Sequence, residues 1–165
     1  MLDSPENRNL VISDFPNLAS DSHFKIVDGP NPNFNCIAWA GNRSDVWWQA
    51  LPIDKRPMFR FDGVQVDWPF EVEDEFSIKT LIDLFTHLKY ESCSDDSYEE
   101  GYRKIAFYQL NGDATHASRQ LVSPPNTGIW TSKLGPSFTI NHGSPFTIES
   151  PLYGKVCHFM KVNMR

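Results

Sequence analysis

Apolar residues at positions 78, 81, 82, 85 and 88 recur at the i, i+3, i+4, i+7 spacing of one helix face, which predicts an amphipathic helix over residues 76–88. The acidic stretch 71–75 before it suits the positive end of that helix. Past residue 100 the period falls to two. Residues 104–110 and 114–122 read as strands joined by the turn Asn111-Gly112-Asp113, which predicts an antiparallel hairpin. Residues 123–128 make the next turn and 129–134 a third strand closed by Gly135-Pro136. Residues 138–140 and 153–162 supply a short and a longer strand.

Upstream, residues 23–27 read as a short strand before the turn Asp28-Gly29-Pro30. An Asn/Pro-rich loop then enters an Ala/Trp-rich segment, a predicted helix over residues 36–49 with Gly41 and Asn42 as its weak point. Residues 51–69 form a Pro-punctuated loop and 91–101 an acidic surface loop. Residues 1–22 are polar, an extension with loose first residues that packs on the domain through Leu10, Val11, Ile12 and Phe15. Helical segments first and an antiparallel meander afterwards predict an α+β fold, N-terminal helices on a C-terminal sheet, in a single domain over residues 23–165.

Composition narrows the function classes. With 40% apolar residues, 12 Phe and 5 Trp, the chain of 165 residues can build a real core. The net charge of −6, with no Lys/Arg cluster, argues against nucleic acid or an anionic membrane as main partner. Three cysteines (Cys36, Cys93, Cys157) are too few and too odd for a disulfide framework. The first residues lack the basic and apolar runs of a signal peptide, so the expected setting is cytoplasmic, with export by a signal-less route open. No Cys/His pair has metal-ligand spacing, and neither a metal nor another cofactor is expected.

The candidate chemistry centres on Cys36. Asn33 or Asn35 can cap the helix that follows, which places the thiol by unpaired first-turn amides where a thiolate is favoured. A free Cys is equally at home as a small buried hydrophobe. A nucleophile needs a base, and the five histidines are 23, 87, 116, 142 and 158. His116 is the best placed, since it follows a tight turn and has the small neighbours Ala117 and Ser118. Ser132, Asn126 and Asn141 can each orient it.

The strings N-C-I-A-W-A at 35–40, H-A-S-R-Q at 116–120, I-W-T-S-K-L-G at 129–135 and Y-G-K-V at 153–156 carry a resemblance. A helix-start Cys followed by a sheet whose second strand holds His resembles the papain-like superfamily, nearest its compact branch of bacterial cysteine amidases and peptidases that includes the NlpC-type enzymes. The strings together are similar to a set of uncharacterised bacterial proteins sharing a domain of unknown function. The resemblance implies Cys36 as nucleophile, His116 as base and Ser132 as the third polar residue. Ser departs from the Asn, Asp or His of that position and cannot stabilise an imidazolium by charge. The Cys36 amide and a side chain of the 31–35 loop are the implied oxyanion donors.

The function expected is a thiol-dependent amide hydrolase acting on a peptide or protein amide through a thioester. Asn35, Trp39, Trp47, Trp48, Trp68 and Lys133 are the expected substrate contacts. The alternative is a non-catalytic module of the same fold, acting in binding or immunity, whose acidic balance and aromatic segment 47–70 form an interaction surface.

Overall fold

A computed structural model describes residues 1–69 and 71–165, so residue 70 of the aromatic segment lies outside the described residues. The fold is α+β. One large antiparallel sheet dominates, with few helices. Ten strands and three α-helices are described: α1 (Pro5–Asp14), β1 (Lys25–Asp28), α2 (Cys36–Ala40), β2 (Trp47–Trp48), β3 (Met58–Phe59), β4 (Gln65–Asp67), α3 (Ile78–His87), β5 (Glu91–Cys93), β6 (Tyr102–Leu110), β7 (Asp113–Gln120), β8 (Trp130–Lys133), β9 (Thr139–His142) and β10 (Lys155–Asn163).

Seven strands run in the order β1-β9-β8-β7-β6-β10-β5, and every neighbouring pair is antiparallel. The predicted meander is therefore present as β6 to β9. Its central hairpin turns on Asn111 and Gly112, both at positive φ (52° and 86°), the conformation for which Asn-Gly is suited. β6 buries both faces: Ile105 and Phe107 join one core cluster, Ala106 and Tyr108 the other. That is why its sequence reads as a continuous apolar run.

The first face is covered by α2, α3 and a three-stranded sheet ordered β2-β4-β3. α3 occupies the predicted stretch, opened by a reciprocal Ser77–Thr80 capping box, and buries Leu81, Leu84 and Phe85. The second face is covered by the N-terminal segment through Val11, Phe15 and Leu18. The first residues, expected loose, instead form α1. Ser4 caps it by accepting from the Asn7 amide at 3.1 Å, and Pro5 fits its first position.

Three other expectations change. The helix at Cys36 ends at Ala40 and not at Gln49, because Gly41 and Asn42 (φ 63°) stop it and the chain turns to lay Trp48 against Gly41. A Cβ at Gly41 would stand 2.9 Å from the Trp48 ring. The 51–69 loop contains short strands, and residues 91–93 pair with β10 as an edge strand.

Candidate functional site

Cys36 is the first residue of α2. Asn35 is its N-cap, with Oδ1 accepting from the Ala38 amide at 3.2 Å. The same side chain accepts from the Trp48 amide at 3.2 Å and donates to the Trp48 carbonyl at 2.6 Å. Asn35 is thus a buried clamp between α2 and β2, with its amide already committed.

α2 lies over β7 and β8, where Trp39 Nε1 donates to Thr131 Oγ1 at 3.1 Å and Arg119 Nε donates to the Trp39 carbonyl at 3.0 Å. β7 and β8 pair at Arg119–Thr131 and Gln120–Trp130; beyond this, towards Ala117 and Lys133, no ladder pair forms. Cys36 stands beside this opening. Burial pushes its thiol up to about 11, against the pull of the Ala117, Ile37 and Cys36 amides and the Lys133 ammonium. A lowered thiol pKa was expected from the helix start. Five residues make too small a dipole to offset desolvation, so the resting group is a protonated thiol.

Lys133 is fully buried. Its Nζ donates to the Asn31 carbonyl at 2.8 Å and to the Gly135 carbonyl, and lies 4.9 Å from the centre of the Phe34 ring. Burial pushes its pKa down to about 8, while Cys36 works to raise it. The side chain ties the Asn/Pro-rich loop to the end of β8 and places a cation near the thiol.

His116 has no exposed surface and stands on the face opposite to α2, in register with Tyr108, while Ala117 faces the helix. Its ring stacks on Tyr153, centroids 4.2 Å apart and planes 11° apart. His116 Nε2 is 3.1 Å from Ser132 Oγ, and Ser132 Oγ is 2.8 Å from His142 Nε2. His142 Nδ1 is 2.8 Å from the Ser144 carbonyl. His116 Nδ1 is buried with no hydrogen-bond partner among the described residues. Desolvation, then the nearby His142, push the His116 pKa well below its usual value, so the imidazole is neutral. Cys36 and His116 are therefore not hydrogen-bonded to each other in the resting protein.

The aromatic residues divide. Trp68 and Trp48 are core, 0% and 4% exposed, and line no groove, because they fill the space between the small sheet and α3. Trp47 is half-buried beside Arg60, whose guanidinium is 5.6 Å from its ring. Trp39 is half-buried and, with Phe34, Asn31 and Thr139, lines a recess of about 520 Å³ next to the Cys36 loop. Two residues at the site escaped the sequence reading of roles. His142 was one histidine among five, and Tyr153 sat unremarked in Y-G-K-V. The register that puts residues 116, 132 and 142 on one face signals the first. For the second, Gly154 (φ 73°) is the clue: a Cβ there would stand 1.9 Å from the Gln109 carbonyl oxygen, so only glycine lets this loop press against β6.

The domain of unknown function DUF7689 matches residues 25–161. The chain belongs to the DUF7689 family. The matched stretch runs from β1 to β10 and contains Cys36, His116, Ser132, Lys133 and His142. No curated protein and no solved structure matches the chain. No helix among the described residues is long and apolar enough to cross a membrane. Among them there is also no group of three or more His, Cys, Asp or Glu that could hold a metal ion.

Proposed function

We propose that this DUF7689 domain is a papain-like thiol amide hydrolase whose resting state is a neutral thiol and a neutral imidazole. The observation that carries this reading is the unpaired Nδ1 of His116. A buried polar atom without a partner costs about 1–3 kcal/mol, and a role in catalysis is one reason to keep it. In this reading the thiol reaches the base through the gap between β7 and β8, where the amide of the neighbouring Ala117 pulls on the Cys36 thiol.

In this mechanism a substrate amide in the Phe34–Trp39 recess presents its carbonyl to Cys36. The thiol proton passes to His116 Nδ1 as the S–C bond forms, and the same proton goes to the leaving amine as the C–N bond breaks. Water then hydrolyses the thioester and restores the thiol. Hydrogen bonds between catalytic groups often tighten only when substrate binds, which fits the absence of one in the resting protein. Ser132 orients His116, and Lys133 offsets negative charge on sulfur. Asn35 acts as a structural clamp, and Trp39 is the one tryptophan in contact with the proposed substrate.

A second reading, a non-catalytic binding module, draws on the raised thiol pKa and on the apolar side chains that the small sheet and its flank expose at Ile53, Met58, Phe59 and Phe61. One experiment separates them. In a Cys93→Ser/Cys157→Ser background, the protein is incubated with short peptide amides and an activated ester and quenched in acid for intact mass. The hydrolase reading predicts a hydroxylamine-labile acyl adduct on Cys36, absent in Cys36→Ala. Lack of any adduct, even from the activated ester, supports the binding module.

A further inference from the structure

The third polar residue at this site is a serine, which cannot carry the charge that a base acquires. The hydrogen-bond chain behind it resolves the difficulty. The Ser144 carbonyl can only accept, so His142 Nδ1 must be its donor. His142 is fully buried, and burial pushes its pKa down to about 4, so it is neutral and its Nε2 is an acceptor. Ser132 therefore donates to His142 Nε2 and is left to accept from His116 Nε2–H. The neutral His116 then has its lone pair on Nδ1, the unpaired atom. Every hydrogen in the chain has one allowed position.

We infer that His142 is the positioning residue of this site: acting through Ser132, it sets the tautomer of His116 and takes the charge when His116 accepts a proton. This rests on the proposed hydrolase reading for its use, but the tautomer assignment stands on the hydrogen bonds and on the burial that keeps His142 neutral. When the thiol proton arrives at His116 Nδ1, the Nε2 proton moves to Ser132 Oγ as the Ser132 proton moves to His142 Nε2. One proton enters and the positive charge ends on His142, with Nδ1–H still on the Ser144 carbonyl. Asp21 is placed to stabilise that charge. It accepts from the Gly143 amide at 2.8 Å and from Thr147 Oγ1 at 2.7 Å, holding the loop around Ser144. Burial works to raise the Asp21 pKa, but hydrogen bonds from Thr147, Gly143 and His23 and the nearby His142 keep it below its usual value. The charge thus moves along this face, from beside Tyr108 and Tyr153 to the end of β9, where the Asp21 carboxylate lowers its cost.

The test is long-range ¹H–¹⁵N correlation NMR of the histidine side chains, with Cys36 acylation by an activated ester as a second readout. In the wild type at pH 7 the expected pattern is Nε2–H for His116 and Nδ1–H for His142. In His142→Phe the Ser132 hydroxyl loses its acceptor and turns to donate to His116 Nε2, so His116 switches to Nδ1–H and acylation falls by about a hundredfold. His142→Gln keeps an acceptor but cannot take the proton, so it is expected to retain the Nε2–H tautomer of His116 while acylation falls by about tenfold. Nδ1–H on His116 in the wild type overturns the inference, and so does an unchanged tautomer in a folded His142→Phe. If His142→Phe fails to fold, the wild-type and His142→Gln spectra decide. Tautomers as expected with acylation indifferent to His116→Ala would leave the tautomer assignment standing and remove the hydrolase reading, and with it the charge transfer to His142.

Discussion

At β7 two consecutive residues, His116 and Ala117, open onto opposite faces of the sheet, and the faces are built on different principles. The Ala117 face has an apolar centre, where Ile105, Phe107, Met160, Leu81, Phe85 and Trp48 pack together, with its polar contacts at the α2 end. The His116 face mixes Ala106, Tyr108, Trp130 and Ile140 with a buried polar chain, and Tyr108 itself bonds to Ser118 at 3.0 Å. An apolar face tolerates any filling of the right volume. A buried polar face needs a partner for each group, so an unpaired atom such as His116 Nδ1 is informative. The thiol comes from the first face and the base from the second. Each is kept neutral by burial, which explains why neither has the pKa of a preformed ion pair.

Substitutions weigh the two faces differently. Phe107→Ala in the apolar centre leaves a cavity between α3 and the sheet, where Phe107 lies 5.4 Å from the Phe85 ring. Chemical denaturation is expected to show a loss of about 3–5 kcal/mol. On the other face the sensitivity is to acid. The folded pKa of His142 is depressed to about 4, against about 6.5 unfolded, so the unfolded chain binds more protons in that window. Stability is fully present above pH 6.5 and falls as the pH drops through 4, by an amount on the order of 3 kcal/mol, with His116 extending the loss to lower pH. The thiol behaves oppositely: its raised pKa gives stability that is present below about 9 and lost as the pH rises to about 11. Denaturant midpoints across pH check both arms. A flat acid arm would mean that the buried histidines are not held neutral.

Smaller effects lie at the joints. Asn35→Ala removes a cap and strips partners from the Trp48 backbone, for an expected loss of about 2 kcal/mol by thermal unfolding. Phe61→Ser, on a fully exposed side chain of the small sheet's hairpin, is expected to change stability by less than about 0.5 kcal/mol. Under the binding-module reading the same substitution abolishes partner capture, which sharpens the contrast between the readings.

What could be read from the sequence follows the range of the forces involved. α3, the β6–β7 hairpin and the strand order β6 to β9 come from local periodicity and one Asn-Gly turn. α1 was missed because its apolar stripe is weak and its stability comes from Val11 and the following Phe15 and Leu18 docking on a distant sheet face. The end of α2 was missed because Trp48, which packs on Gly41, belongs to a different element. At the site, Ser132 is one of three orienters that the residues leave open, and the resemblance alone singles it out. The face that His116 adopts was not legible, since a bulge between Tyr108 and Gln109 shifts the register at that point. The His142 link needed three strands in register at once. Desolvation of Cys36, which reverses the expected direction of its pKa, depends on burial that no local pattern encodes.

The most direct test of a neutral thiol served by a neutral base is the pH profile of Cys36 acylation by an activated ester. It is measured from pH 5 to 10 in the Cys93→Ser/Cys157→Ser background, with and without His116→Ala. The predicted wild-type profile is flat from about pH 6 to 9, because the base is already free and the thiol still protonated across that range. His116→Ala is predicted to lower the rate at pH 7 by about a hundredfold or more and to leave a rate that climbs with thiolate towards pH 10. A wild-type rate that itself climbs tenfold per pH unit, with no change in His116→Ala, would contradict the account and make Cys36 a buried structural thiol.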